Sequence, residues 1–118
     1  MPSKRQIEGS AAEARAAQLL QAAGYRVLLR NWRCRYGELD LIARRGDVLL
    51  IVEVRQRASA NFGGAAASID WRKRSRLRRA ALHFLRCHPQ LRHLRMRFDA
   101  VTLDGGAAPQ WIAHAFDA

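Results

Sequence analysis

A near-continuous apolar run, VLLIVEVRQ at residues 48–56, constrains the fold more than any other segment. A run of this length and β-branched composition is typical of a central strand that is buried on both faces. Glu53 interrupts it and Arg55 follows two positions later, so both side chains share one face of the strand. Burying such groups costs free energy. The run therefore predicts a central strand that ends either in ordinary salt bridges or in an active site.

The segments around this strand predict an α/β domain with a mixed central sheet flanked by helices. One helix begins at Ser10 and ends at Gly24, and a second follows the N-cap residue Asp70 and ends near His88, before a proline. Four more strands are predicted at residues 25–33, 38–44, 96–103 and 110–116. The element order is α-β-β-β-α-β-β, and the first three strands form a meander.

The division into domains follows from composition. Residues 1–8 are polar and predict a flexible N-terminal tail, and residues 9–118 form a single domain. Residues 58–68, ASANFGGAAAS, are small and contain glycines, which indicates a mobile loop.

The first helix carries a predicted apolar stripe and one acid beside it. The stripe consists of Ala12, Ala16, Leu19 and Ala23 at helical spacing. Glu13 stands on its border, where a surface position is the default interpretation.

The charge of the chain indicates a polyanionic partner. Twenty-one basic and ten acidic residues give a net charge of +11, which is typical of proteins that bind nucleic acid. Many of the basic residues lie on the second helix, and those predicted to contact phosphates without reading sequence are Arg72, Arg74, Arg76, Arg78 and Arg79.

Several other classes of site and location are disfavoured. No apolar run reaches the roughly 20 residues of a membrane span, and MPSKRQIEGS lacks the apolar segment of a signal peptide, so the cytoplasm is the expected compartment. Cys34 and Cys87 are far apart and predict two free thiols. The four histidines form no i,i+4 pair, so a histidine metal site is not expected.

Two acids on neighbouring strands are candidate metal ligands. If the 38–44 and 48–56 strands pair as a hairpin, Asp40 comes close to Glu53. Carboxylates that meet beside a buried strand repel each other unless they are protonated or bridged by a cation. Oxygen ligands select Mg²⁺ or Mn²⁺, which would polarise a phosphodiester and lower the pKa of an attacking water. Alternatively each acid pairs with an arginine, and spacing alone favours neither interpretation.

Sequence blocks along nearly the whole chain resemble the YraN family of small bacterial proteins, which are similar to Holliday-junction resolvases and restriction endonucleases. The blocks are AE at 12–13, GY at 24–25, NWRCRYGELDLIA at 31–43, VEVRQR at 52–57, FGGAAASI at 62–69, RFDAV at 97–101 and HAF at 114–116. The resemblance implies the restriction-endonuclease-like fold and the PD-(D/E)xK active-site plan. It thereby raises metal-dependent hydrolysis of DNA phosphodiesters above the salt-bridge interpretation, with branched DNA as one candidate substrate.

The resemblance also assigns roles by position. Glu13 matches the acid of the first helix, Asp40 the motif acid, and Glu53 the acid of the E-x-K element. Asp40 and Glu53 would hold the metal together with the Val54 carbonyl, and Glu13 would bind water or a second ion. A homodimer is expected by analogy, because cutting two strands of a junction requires two sites.

One position departs from this plan. Arg55 stands where the E-x-K element has lysine. Arginine stays protonated, so it can clamp a phosphate oxygen but cannot act as a general base. Lys73, one of only two lysines, lies at the edge of the apolar stripe of the second helix and is a candidate to act in its place.

Three hypotheses follow from these residues. The first is a Mg²⁺- or Mn²⁺-dependent endonuclease in which Arg55 or Lys73 stabilises the transition state. The second is a nucleic-acid-binding module of the same fold whose catalysis is impaired, with Arg55 as the sign of the loss. The third is a basic interaction protein whose carboxylates form salt bridges only.

Overall fold

The computed structural model describes residues 4–57, 69–104 and 108–116. The elements are α1 (Lys4–Ala22), β1 (Arg26–Cys34), β2 (Gly37–Arg45), β3 (Val48–Arg57), α2 (Trp71–Cys87), a 3₁₀ turn (Pro89–Leu91), β4 (Arg95–Asp104) and β5 (Gln110–Phe116). This is the predicted order of helices and strands. The predicted mobile loop at 58–68 lies outside the described residues.

The strands form one five-stranded sheet in the order β1-β2-β3-β4-β5. β3 and β4 run parallel, and the other neighbouring pairs are antiparallel. α2 makes the crossover that a parallel pair requires. The sheet is therefore mixed, as predicted, and the architecture is compatible with a restriction-endonuclease-like fold.

The central position of β3 follows from its apolar side chains, which are buried on both faces. Leu50 and Val52 pack on the α1 side with Ala16, Ala17 and Leu20. Leu49 and Ile51 face the other helix, where the packed side chains include Leu77, Ala80, Ala81, Phe84 and Phe98. The sheet is thus covered by one helix on each face.

α1 begins earlier than predicted and ends where predicted. It begins at Lys4, six residues before the predicted start at Ser10, so the predicted tail of residues 1–8 overlaps the helix. The reason is that residues 4–8 include good helix formers despite their polarity. At the other end, Gly24 has a φ of +89° and its N–H donates to the Gln21 carbonyl, while the N–H of Tyr25 donates to the Leu20 carbonyl. These two bonds form a Schellman motif.

α2 begins at its predicted cap. The Asp70 side chain accepts a hydrogen bond of 2.9 Å from the Lys73 backbone N–H. Because this contact satisfies one of the free N–H groups of the first turn, it fixes where the helix starts. The position of Lys73 relative to the sheet depends on that start.

β4 and β5 are joined by a buried polar cluster around Asp99, which is fully inaccessible to solvent. Its carboxylate accepts two hydrogen bonds of 2.8 Å from Arg97 and one of 2.7 Å from Trp111 Nε1. The backbone N–H of His114 donates a further bond of 3.1 Å. A buried charge that is satisfied in this way stabilises a unique pairing of the two strands.

The described helices include none that combines the length and the apolar character needed to cross a bilayer.

Candidate active site

The site lies where β2 and β3 separate. Their paired residues run from Arg45 and Val48 to Leu41 and Val52. Beyond that pair, β2 continues beside β1 and β3 continues beside β4. Asp40 occupies the fork, and its Oδ2 accepts a hydrogen bond of 2.9 Å from the Val54 N–H. The hairpin that the sequence predicts therefore forms and places Asp40 next to the end of the buried run.

Three carboxylates from two elements converge at this fork. Glu13, Glu38 and Asp40 each offer an oxygen, and these oxygens lie within 4.8 Å of one another. Glu38 and Asp40 come from the same strand, two positions apart. We call these three residues the acid cluster.

Glu13 belongs to the cluster because the buried face of α1 is wider than the predicted stripe, of which Ala12 and Ala16 are buried as expected. Ala17 and Leu20, four and seven positions after Glu13, are fully buried. Of the predicted stripe, Leu19 and Ala23 are only half-buried. The inward face therefore extends to the line of Glu13, Ala17 and Leu20, and it directs the Glu13 side chain to the sheet.

Glu53 lies beside the cluster in a different environment. It is 4 % exposed, and its Oε1 lies 3.2 Å from Lys73 Nζ and 3.4 Å from Arg55 Nη1. Its Oε2 is buried and finds no hydrogen-bond partner among the described residues. The structure thus brings both predicted cations, Arg55 from the strand and Lys73 from the crossover helix, to the same carboxylate.

The electrostatic environment of the fork opposes ionisation of the Asp40 carboxyl. The pKa of Asp40 is raised from its ordinary 3.8 to about 8, chiefly by burial and then by the charge of Glu53, against the opposing effect of the Val54 N–H. Glu13 and Glu38 act in the same direction as Glu53. A cation bound among these acids would reverse the effect, because it favours their charged forms.

The donor set suits a hard divalent cation. The acid cluster supplies carboxylate oxygens, and Glu53 Oε2 is an acceptor without a protein donor among the described residues. The N–H and C=O of one strand residue point towards the same neighbouring strand, so the Val54 carbonyl also faces the fork. Carboxylate and carbonyl oxygens are the ligands that Mg²⁺ and Mn²⁺ prefer.

The alternative of simple salt bridges describes only one of the two predicted ligands. Glu53 contacts Arg55, as that interpretation requires. Asp40 forms no ion pair with any arginine in the part of the chain that the structure describes, and its hydrogen bond comes from a backbone N–H.

Two residues of the site were not predicted from the sequence. Glu38 lies two positions before Asp40 and therefore on the same face of β2, and that spacing is the signal in the sequence that could have revealed it. Asn31 donates a hydrogen bond of 2.8 Å from Nδ2 to Glu13 Oε2 and has a φ of +53°. Its neighbours Arg30 and Trp32 pair with the residues on either side of Asp40. Asn tolerates this left-handed backbone, but a strand pattern does not reveal it.

The five arginines of α2 that are predicted to contact phosphates divide between two flanks of the helix. Arg72, Arg76 and Arg79 follow one line at i, i+4 and i+7, and Arg76 lines a small cleft with Glu38 and Lys73. The other two make intramolecular contacts on the opposite flank. Arg74 Nε donates to the Ile69 carbonyl at 3.0 Å, and the Arg78 guanidinium lies 5.9 Å from the centre of the Phe116 ring. The first flank is the one that continues from the acid cluster.

Comparison of the amino-acid sequence with known proteins finds relatives that are similar to this chain over nearly its whole length. The model of the Uncharacterised protein family UPF0102 matches residues 12–103. A UPF0102 protein of Xanthomonas euvesicatoria is 50 % identical over 119 residues, which cover 100 % of this chain and 98 % of that protein. A UPF0102 protein of Pseudomonas entomophila is 47 % identical over 113 residues, which cover 92 % of each. The chain therefore belongs to the UPF0102 family, the YraN family that its sequence blocks resemble.

Proposed function

We propose that this protein is a metal-dependent hydrolase of nucleic-acid phosphodiesters, with DNA as substrate and Mg²⁺ or Mn²⁺ as cofactor. One observation carries the proposal. The acid cluster and the buried Glu53, whose Oε2 lacks a partner among the described residues, meet at a fork in the sheet. The raised pKa of Asp40 indicates that ionising this carboxyl costs free energy when no cation is bound beside it. Costly groups of this kind are typical of functional sites.

The residues of the fork divide into ligands and cations. Asp40, Glu53 and the Val54 carbonyl would hold a divalent ion, and Glu13 and Glu38 would orient water or hold a second one. When bound, the ion would polarise the phosphodiester and lower the pKa of the attacking water.

The cations at the fork would complete the chemistry. Lys73 and Arg55 both contact Glu53 Oε1. From this position either side chain could stabilise the negative charge that develops on the phosphate in the transition state. Lys73 reaches the same carboxylate as Arg55, so it can supply the lysine that the strand lacks. Because lysine loses its proton more readily than arginine, only Lys73 could also transfer a proton.

The net charge of +11 supports a nucleic-acid substrate. The flank of Arg72, Arg76 and Arg79 adjoins the fork and would contact phosphates without reading bases. Branched DNA as the preferred form, a homodimer and a cytoplasmic location belong to the proposal by analogy with junction-cutting enzymes.

A second candidate function is a binding module that no longer cleaves. The observation that favours it is Arg55, which occupies the strand position of the usual lysine and pairs with Glu53 at 3.4 Å. Such a protein would bind nucleic acid and a metal but would not turn over.

The deciding experiment is a nicking assay. Purified protein is incubated with Mn²⁺ and labelled flap, junction or single-stranded DNA, beside the Glu53→Gln variant and the control Asp47→Asn, which changes an exposed turn residue. We expect nicking that EDTA abolishes, that falls about 100-fold or more in Glu53→Gln, and that the control retains.

Three other outcomes are informative. Stabilisation by Mn²⁺ without nicking would support the binding module. Nicking that persists in Glu53→Gln would come from a contaminant. If the protein neither binds metal nor nicks DNA, the third hypothesis, a basic interaction protein, is the one that remains.

A further inference from the structure

A cleft of about 340 Å³ lies between the β1–β2 turn and the outer flank of α2. It is lined by Tyr36, Arg79, Leu82, His83 and Arg86. The four helical residues stand at i, i+3, i+4 and i+7, so they form one stripe along the helix. Because this stripe continues the line of Arg72 and Arg76, the cleft lies on the flank that leads away from the acid cluster.

The cleft combines an aromatic and apolar floor with positive ends. The rings of Tyr36 and His83 meet edge to face with centroids 5.9 Å apart, and Leu82 is 57 % exposed beside them. Arg79 and Arg86, at either end of the stripe, are seven residues apart, or about 10 Å along the helix axis. None of the lining residues is acidic. A ligand that suits this cleft has a flat apolar part between negative groups.

The Tyr36 side chain is held in place by its neighbour. The Arg35 guanidinium lies 4.8 Å from the centre of the Tyr36 ring, and Arg35 Nη2 donates a hydrogen bond of 2.6 Å to Tyr36 Oη. A ring fixed in this way loses little further freedom when a ligand packs against it.

The cleft is connected to the proposed active site through a shared wall. Tyr36 lines both this cleft and the smaller one that contains Glu38, Lys73 and Arg76. A chain that passes the acid cluster would therefore reach the larger cleft next. An acidic peptide would also suit the arginines, but the neighbouring fork is proposed to bind a phosphodiester chain, and a strand bound there would extend into this cleft.

We propose that this cleft holds one unpaired nucleotide of the bound strand, with its base against Tyr36 and Leu82 and its flanking phosphates against Arg79 and Arg86. This inference rests on the proposal that the protein acts on nucleic acid. The size of the cleft suits a single small ligand. Bases inside a duplex have both faces covered by stacking, so only an unpaired base can pack against an aromatic side chain. The cleft therefore selects single-stranded or locally unpaired segments.

The test is equilibrium binding in EDTA, measured by fluorescence anisotropy with a labelled single-stranded DNA and its duplex. We expect Tyr36→Ala to raise the Kd for the single strand about ten-fold or more and the Kd for the duplex less than about two-fold. Tyr36→Phe, which keeps the ring, should bind within about three-fold of the wild type. Leu82→Glu changes an exposed residue and keeps the fold, and it should weaken single-strand binding selectively. Arg86→Ala should weaken it more than Arg95→Ala, an equal loss of charge at a position that is 77 % exposed and outside the cleft.

The inference is overturned if Leu82→Glu leaves single-strand binding unchanged, or if Tyr36→Ala weakens both DNA forms equally. Because EDTA removes metals, these results do not depend on hydrolysis. Selective binding without nicking in Mn²⁺ would overturn the hydrolase proposal and leave the nucleotide site standing. Nicking in Mn²⁺ together with equal binding of single strand and duplex by all variants would overturn the nucleotide site and leave the hydrolase proposal standing.

Discussion

Replacing Asp40 with asparagine tests the electrostatic account of the fork directly. The substitution keeps the shape of the side chain and an oxygen that can accept from the Val54 N–H, but it removes the charge. The pKa of Asp40 is raised from 3.8 to about 8. At about 1.4 kcal/mol for each pKa unit, the full shift would destabilise the folded protein at pH 8 by about 5 kcal/mol. Asp40 is only partly buried and water screens part of this cost, so we expect Asp40→Asn to raise the free energy of unfolding by about 2 kcal/mol at pH 8.

The sign follows from proton binding. Below about pH 4 the Asp40 carboxyl is protonated in both the folded and the unfolded chain, and it contributes no pH dependence. Between about pH 4 and pH 8 the folded protein keeps a proton that the unfolded chain releases, so this group lowers stability as the pH rises. Above about pH 8 the loss is complete. The gain from Asp40→Asn should therefore be small at pH 5 and largest at pH 8.

The assay is urea unfolding of metal-free protein at pH 5 and pH 8, with Asp47→Asn as the matched control. The Asp47 side chain is 71 % exposed and pairs only with the exposed Arg95 among the described residues, so the control should change stability little at either pH. Mn²⁺ should raise the Tm of the wild type and of the control at pH 8 but not that of Asp40→Asn, because metal binding requires the ionised carboxylate. Equal stability of Asp40→Asn and wild type at pH 8, or an unchanged response to Mn²⁺, would refute the reasoning.

Two further predictions follow from the described contacts. Asp99→Ala should lower the free energy of unfolding by about 3 kcal/mol or more in urea titrations, because it leaves the Arg97 guanidinium without its buried partner; a loss under about 1 kcal/mol would contradict this. Lys73→Ala should lower the nicking rate about 100-fold while Arg55→Lys retains it, if the helix supplies the cation that acts on the phosphate. A wild-type rate in Lys73→Ala would remove that role and assign the cation to Arg55.

Much of the fold is determined locally and could therefore be predicted. Side-chain alternation and turn residues give every strand to within a residue or two, because a strand that faces a core must repeat with a period of two. The buried run of β3 predicts its central place in the sheet, since only a strand covered on both faces can be apolar throughout. Gly24 and Asp70 mark helix ends through backbone geometry that other residues adopt less readily.

The proximity of Asp40 and Glu53 is also determined by the sequence. A short turn between two strands leaves few registers, and the apolar pattern selects the one that buries the correct face. The membership of the family follows from the same blocks, because they combine the strand pattern with acids at fixed spacing.

The full composition of the site was decided by tertiary structure. The burial of Ala17 and Leu20, which brings Glu13 to the sheet, depends on how closely the small side chains of α1 dock, and a stripe in the sequence does not record that distance. Glu38 enters the acid cluster in the part of β2 that precedes Leu41, where β2 is not paired with β3. Lys73 meets Glu53 because the crossover helix lies across the fork.

The sequence by itself therefore determined the order of helices and strands along the chain, the buried centre of the sheet and the proximity of Asp40 and Glu53 at the end of one hairpin. The tertiary structure decided that the buried face of α1 extends to Glu13, that Lys73 reaches Glu53 beside Arg55, and which arginines of α2 line a cleft. The physical reason is the range of the interactions. Backbone periodicity and turns act over a few residues, whereas the convergence of side chains from α1, β2, β3 and α2 depends on packing angles that no local pattern records.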